Sequence, residues 1–225
     1  MDGAPRRLVD RQEQPGAVVL VLDGGETLEV APDAVPDDLP GVGESLGSPL
    51  LDALRAAAAR KAAARDLFAL LDRKLWTVAR LRRRLIDRGH PEPAVAAVLA
   101  SATGQGLVSD AAYAEAFCRD ALGRKAVGRA WLETRLREKG VDPDLAAATA
   151  SDQLPADREA ELAREAATAR WRRERGRDAR AEARVGRFLA SRGFGPALAW
   201  RAVRSARPDD DPPDASCNSD TEGPS

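Results

Sequence analysis

Residues 81–89 read LRRRLIDRG, and the same pattern of side chains returns in residues 132–140, LETRLREKG, and 185–193, VGRFLASRG. In each copy a leucine stands four residues before the final glycine, an aliphatic residue stands eight before it, and a cation directly precedes it. The copies are in phase, at spacings of 51 and 53 residues. This agreement indicates an internal repeat.

Each copy predicts a helix, a sharp turn and a second helix. Aliphatic residues four apart lie on one face of a helix, and glycine readily adopts the left-handed conformation that closes one. A proline follows each glycine, where it suits the first turn of the next helix. A further helix precedes each pair. These preceding helices are predicted over residues 65–73, 109–122 and 159–171.

The fold predicted from these patterns is all-α. A triplet of about fifty residues is small to stand alone, so we expect three tandem three-helix repeats in an elongated, curved array. A small N-terminal β-hairpin segment is expected before them, because Asp23-Gly24-Gly25 separates two β-prone runs. The expected divisions are a hairpin and loop segment (1–50), three helical repeats (51–106, 107–155 and 156–207) and a disordered acidic tail (208–225).

Charge is segregated along the chain although the formal net charge is only −1. Residues 1–50 carry a net charge of −7, residues 51–207 carry +12, and residues 208–225 carry −6. A basic body between acidic ends suits a polyanionic partner or an acidic groove. The alternative is that the charges only keep the helices soluble.

The residues that catalysis or metal binding needs are scarce. The single histidine, His90, falls at a predicted helix–helix corner, where a turn residue is the simpler interpretation. The two cysteines, Cys118 and Cys217, are far apart and fit a reducing compartment. We therefore predict no enzyme, no metal and no cofactor. The N-terminus has no apolar segment typical of a signal peptide, and the longest aliphatic run is too short to span a bilayer, so a soluble cytoplasmic protein is expected.

Clustered cations are the strongest functional signal. If they occupy similar places in successive repeats, they would build a basic strip that could contact acidic residues or phosphate. Trp171, which stands among arginines, could stack on a base or belong to the core. The candidate contact residues are Arg82, Arg83, Arg124, Lys125, Arg172 and Arg173.

Two segments carry a resemblance to a known family. They read ALLDRKLWTVARLRRRLIDRG and GLVSDAAYAEAFCRDALGRKAVGRAWLETRLREKGVD, and they resemble the bacterial regulatory protein RecX. The entry to the second repeat is the most specific part, and it comprises Gly106, Leu107, Val108, Ser109, Asp110, Tyr113 and Ala114. The resemblance covers about residues 65–205.

The resemblance implies a non-enzymatic modulator of the RecA recombinase. Proteins of this family lie in the groove of the RecA filament on single-stranded DNA, where they hinder ATP hydrolysis and strand exchange. A role in recombinational DNA repair, homologous recombination and the SOS response is implied as well. We also expect a monomer that does not bind a membrane, with weak direct DNA contact as a further candidate interaction. Two rivals remain at this point, namely a nucleic-acid-binding helical-repeat protein that acts without RecA, and an inert scaffold.

Overall fold

The computed structural model describes residues 5–208. Helices make up most of this part of the chain, and a small sheet stands at its N-terminal end. The strands are β1 (Arg6–Gln14), β2 (Ala17–Leu22), β3 (Thr27–Val30) and β4 (Ser45–Leu46). The helices are α1 (Ser48–Leu71), α2 (Val78–Ile86), α3 (Glu92–Gly104), α4 (Asp110–Arg124), α5 (Arg129–Glu138), α6 (Pro143–Gln153), α7 (Ala156–Trp171), α8 (Ala179–Ser191) and α9 (Pro196–Ser205).

The sheet is antiparallel and has the order β3-β2-β1-β4. Its β2–β3 connection is the predicted hairpin, and Gly24 and Gly25 adopt φ of +79° and +83° there. Strands β1 and β4 were not predicted. Strand β1 is rich in charged and amide side chains and fully buries only Leu8, so its sequence lacks the regular apolar alternation that marks a half-buried strand.

Helix α1 belongs to two cores. Near its start, Leu51 and Leu54 pack on the buried face of the sheet. Near its end, Leu67 and Leu70 pack with α2 and α3 in the first triplet. The helix therefore begins well before the predicted segment 65–73 and joins the sheet directly to the first triplet.

The helices follow the predicted triplets α1–α2–α3, α4–α5–α6 and α7–α8–α9. The repeated glycines Gly89, Gly140 and Gly193 all lie in the left-handed region, with φ of +90°, +83° and +79°. The leucine four residues before each of them is fully buried. The predicted mixture of helical repeats and a small N-terminal strand segment is confirmed.

The chain divides into two compact units, and the division between them does not fall between two triplets. The first unit ends at Ala114 and also includes Glu138–Val141, the turn between α5 and α6. The second unit comprises Glu115–Arg137 and resumes at Asp142. Most of the predicted acidic tail lies outside the described residues.

Within the first unit, the turn that precedes α6 packs on the start of α2. The Thr77 hydroxyl donates to the Lys139 carbonyl oxygen at 2.6 Å, and a Cβ at Gly140 would collide with Ala79. The Asp110 carboxylate, at the start of α4, accepts from the Val78 backbone N–H at 2.9 Å. The second triplet thus satisfies polar groups around the N-terminus of a helix in the first triplet.

The second unit repeats this junction with different residues. The Gly128 N–H donates to the Arg192 carbonyl oxygen at 2.9 Å, and a Cβ at Gly193 would collide with the Trp131 backbone. The Glu159 carboxylate, in the first turn of α7, accepts from the Arg129 N–H at 2.9 Å. A close-packed glycine turn and an acidic helix-terminal residue therefore recur at both junctions.

Candidate binding surface on the middle helices

The middle helices of the three triplets are α2, α5 and α8. One face of each carries the same kinds of side chain, namely an aromatic ring and several cations. Positions one, five, nine and thirteen residues before the repeated glycine are four apart, so those within the helix share one face. In each triplet these positions hold one aromatic residue, and cations hold the others apart from Val127. We call these positions the aromatic–cation stripes. They are Trp76, Arg80, Arg84 and Arg88; Val127, Trp131, Arg135 and Lys139; and Arg180, Arg184, Phe188 and Arg192.

In the first triplet the aromatic ring of the stripe is Trp76, just before α2. The Lys74 ammonium lies 4.2 Å from the ring centroid and the Arg80 guanidinium carbon lies 5.7 Å from it. The indole Nε1–H donates to the Leu70 carbonyl oxygen at 3.0 Å. This hydrogen bond fixes the ring, and the ring in turn attracts both cations through its π-electrons.

In the second triplet the ring is Trp131, on α5. The Lys125 ammonium lies 3.8 Å from its centroid and the Arg135 guanidinium carbon lies 5.4 Å from it. Phe117 stacks on the same indole, with centroids 6.2 Å apart and ring planes inclined by 11°. The predicted contact residue Lys125 is therefore positioned by the ring of Trp131.

In the third triplet the ring is Phe188, on α8. The guanidinium carbons of Arg170 and Arg192 lie 5.8 Å and 5.1 Å from its centroid. Glu174, whose side chain is only 6% exposed, pairs with Arg170 at 2.7 Å and with Arg184 at 2.8 Å. This carboxylate neutralises one cation of the third stripe, Arg184, as Asp66 neutralises Arg88 of the first stripe at 3.4 Å.

The first triplet also forms an open cleft of about 530 Å³. It is lined by Trp76, Arg80, Arg83, Arg84, Asp87 and Glu138. Within the described part of the chain, none of the three arginines forms an ion pair. Guanidinium groups without a carboxylate partner, gathered around a concave surface, are suited to bind an anion.

The predicted contact residues have different surroundings. Arg82 forms an ion pair with Glu92, and Arg124 forms one with Asp120 at 2.8 Å. Arg172 and Arg173 are exposed beyond the end of α7 and have no ion-pair partner among residues 5–208. Of the neighbours Arg82 and Arg83, only Arg83 lines the cleft.

The sequence interpretation missed the aromatic rings and their partner arginines. The sequence does contain a pattern that indicates this arrangement, because an aromatic residue is followed four positions later by arginine in every triplet. Trp76 and Arg80, Trp131 and Arg135, and Phe188 and Arg192 are the three pairs.

Several other candidate residues have structural roles. Trp171 is 3% exposed and its indole N–H donates to the Val203 carbonyl oxygen at 3.1 Å, so it belongs to the core rather than to a base-stacking surface. Cys118 is fully buried, and burial raises the pKa of its thiol to about 11, so it is not a reactive nucleophile. Cys217 lies outside the described residues.

Two kinds of site are not found in the part of the chain that the structure describes. No group of three His, Cys, Asp or Glu side chains is placed to hold a metal ion within residues 5–208. Over the same residues, no helix combines the length and the apolar composition needed to cross a membrane.

Comparison with known proteins identifies the second and third triplets. Residues 109–149 match the model of the second three-helix domain of RecX, and residues 157–203 match that of the third. A protein of Chromohalobacter salexigens, regulatory protein RecX, is 36% identical over 129 residues, which are 57% of this chain and 82% of that protein. The chain belongs to the RecX family. RecX of Thermobifida fusca is also 36% identical, over 64% of this chain and 82% of its own length.

Solved RecX structures share the fold. The crystal structure of a regulatory protein RecX superimposes with a TM-score of 0.72 and 24% identity, and covers 89% of this chain and 99% of that one. RecX from Lactobacillus salivarius gives a TM-score of 0.59 at 17% identity, over 67% of this chain and 97% of its own. Both matches cover nearly the full length of the solved chains, and the first also covers most of this chain. The helical triplets and the sheet therefore adopt the RecX fold.

Proposed function

We propose that the protein is a non-enzymatic regulator that binds in the groove of the RecA filament on single-stranded DNA. It inhibits ATP hydrolysis and strand exchange there, and so modulates recombinational DNA repair and the SOS response. Membership of the RecX family supports a regulator of RecA, because the relatives are named regulatory protein RecX. The protein acts from the cytoplasm as a monomer.

The observation that carries the proposal is the recurrence of ring-positioned cations in all three triplets. A filament offers repeated acidic or phosphate groups, and several weak contacts to them add up to strong binding. Cations that are held in place before binding lose less conformational entropy when they meet an anion. Long-range attraction between the basic body and the nucleoprotein filament would also speed association.

The decisive measurement is the ATPase rate of RecA on single-stranded DNA with and without this protein. We expect the wild-type chain to lower that rate. An unchanged rate at concentrations well above that of RecA would contradict the proposed function.

Charge reversal identifies the contact residues. Arg83→Glu should weaken inhibition at least tenfold, because Arg83 lines the open cleft and has no carboxylate partner among the described residues. Arg82→Glu should weaken it less, since Arg82 is already paired with Glu92. Arg60→Glu, on α1, is the matched control for the change in net charge. Equal effects of all three variants would argue for a general charge effect rather than a defined surface.

Binding to nucleic acid without RecA is the second candidate function. Aromatic rings next to arginine and lysine are typical of surfaces that bind single strands, and this arrangement favours it. The second candidate requires tight, steeply salt-dependent binding to naked DNA. A filament-free titration over a salt series distinguishes it from the proposed function, which needs only weak contact with naked DNA.

A further inference from the structure

The arginines of the cleft beside Trp76 are arranged unfavourably for the protein alone. Arg80, Arg83 and Arg84 are three and four residues apart on one short helix, where like charges repel each other. Arg83 and Arg84 lie in the last turn and are favoured by the helix dipole, but Arg80 lies in the first turn, where a cation is disfavoured. Helix stability therefore does not account for Arg80.

The ring of Trp76 gives Arg80 a defined position instead. Its indole is anchored through Nε1–H to the Leu70 carbonyl oxygen, and the ring packs against the core of the first triplet. Lys74 and Arg80 are both held near this ring. Two cations are thus positioned around Trp76, one of the residues that line the cleft, before any ligand arrives.

From these features we infer that the cleft binds phosphate groups of single-stranded DNA. A guanidinium donates two parallel hydrogen bonds to the oxygens of one phosphate. Asp87 and Glu138 also line the cleft, but together with Lys74 the four cations outnumber the two carboxylates. A strand carries closely spaced phosphates and can engage several of these cations at once, which a single carboxylate of a protein cannot do.

This inference deepens the proposed function and rests on it for the choice of polyanion. It means that the regulator contacts the DNA strand itself at Trp76, Arg80, Arg83 and Arg84. Contacts to the recombinase would then fall to other surfaces.

The test is binding of a fluorescein-labelled oligothymidine to the full chain without RecA, followed by fluorescence anisotropy over a salt series. Arg80→Gln/Arg84→Gln removes two of the four cations. We expect the Kd to rise about tenfold and the slope of log Kd against log salt to fall by about 1.4, or about 0.7 for each phosphate that is no longer neutralised. Arg60→Gln/Arg119→Gln is the control with the same charge change, and it should retain at least the larger part of both values.

A conservative variant separates geometry from charge. Arg80→Lys/Arg84→Lys keeps both charges but removes the paired donors of the guanidinium, so it should retain the salt slope and bind the strand less tightly. Circular dichroism of each variant checks that the helices are intact. If the glutamine variant does not fold, the lysine variant still provides the test.

Three outcomes would overturn the inference. One is a wild-type chain that does not bind the oligothymidine, and another is a cleft variant that binds it like the control variant. The third is a cleft variant that binds the strand normally but no longer inhibits RecA, because the ligand would then be a protein carboxylate. Loss of strand binding in the cleft variant, with no effect of the wild-type chain on RecA, would support this site and contradict the proposed function.

Discussion

At the scale of single residues, His90 shows how the turn after α2 is held to α1 within the first triplet. Its Nε2 lies 3.0 Å from Asp66 Oδ2, and Arg88 Nη1 lies 3.4 Å from the same oxygen. The histidine is in the turn after α2, as the sequence predicted, but its partner is 24 residues earlier. Local sequence patterns predict the turn and cannot reveal such a distant partner.

The interaction between His90 and Asp66 makes stability depend on pH. The hydrogen bond from His90, helped by the nearby charge of Arg88, lowers the pKa of the Asp66 carboxyl from its ordinary value. A carboxyl group whose pKa is lower in the folded protein than in the unfolded chain stabilises the fold at every pH above the unfolded-state pKa, which is near 3.9. This contribution disappears as the pH falls through the folded-state pKa.

Asp66→Asn should therefore lower the free energy of unfolding at neutral pH and reduce its decrease between about pH 5 and pH 2. Urea denaturation at a series of pH values measures both effects. Asp37→Asn, at an exposed residue, should leave the pH profile unchanged. A wild-type profile for Asp66→Asn would mean that the interaction contributes nothing to stability.

At the scale of elements, the glycine turns have two different requirements. The sequence correctly predicted that Gly89, Gly140 and Gly193 close helices in the left-handed conformation. It gave no sign that two of them also allow close approach to a helix of the preceding triplet. That need arises only from packing between triplets, and no pattern within a single repeat can show it.

Gly193→Ala and Gly89→Ala form a matched pair that separates these requirements. At Gly89 a methyl group meets nothing within 4 Å, so only the left-handed conformation is disfavoured, at a cost of about 1 kcal/mol. At Gly193 the methyl also collides with the Trp131 backbone, and the destabilisation should be about 3 kcal/mol. Chemical denaturation measures both values, and equal destabilisation would contradict the junction.

The N-terminal elements were only partly predictable. The β2–β3 hairpin could be predicted from the sequence because glycines mark its turn and aliphatic residues, most of them buried, make up β2. Strand β1 is held mainly by main-chain pairing with β2, and its mostly polar side chains give no sign of that pairing. In the third triplet, α8 begins one turn earlier relative to its glycine than α2 and α5 do, with Asp178 accepting from the Ala181 N–H at its N-terminus.

At the scale of the whole molecule, the sequence predicted a basic surface on the first triplet, but it did not predict correctly which arginines line it. Three successive arginines stand in the first triplet, and two of them, Arg83 and Arg84, line the cleft. The third, Arg82, is paired on another face. Which cation is neutralised depends on neighbours outside the local pattern, so the remaining predicted contacts stay predictions.

The distribution of charge along the chain gives a prediction at this scale. Residues 208–225 carry a net charge of −6 and can compete with an anionic ligand for the basic body. Deleting them should strengthen binding to the RecA–DNA filament several-fold at low salt, and the difference should disappear at high salt because ions screen the attraction. Anisotropy titrations of both chains at two salt concentrations provide the measurement, and identical affinities would exclude such competition.

The position of the aromatic ring within each stripe has a consequence for how the triplets can evolve. The ring stands thirteen residues before the glycine in the first triplet, nine in the second and five in the third. The arginine four residues after the ring is therefore placed one turn further along the middle helix in each successive copy. Consider a chimera in which a copy of the second triplet replaces the first. It should keep its helices, but the arginine paired with the ring would lie one turn away from the position of Arg80. One triplet therefore cannot replace another without moving this arginine.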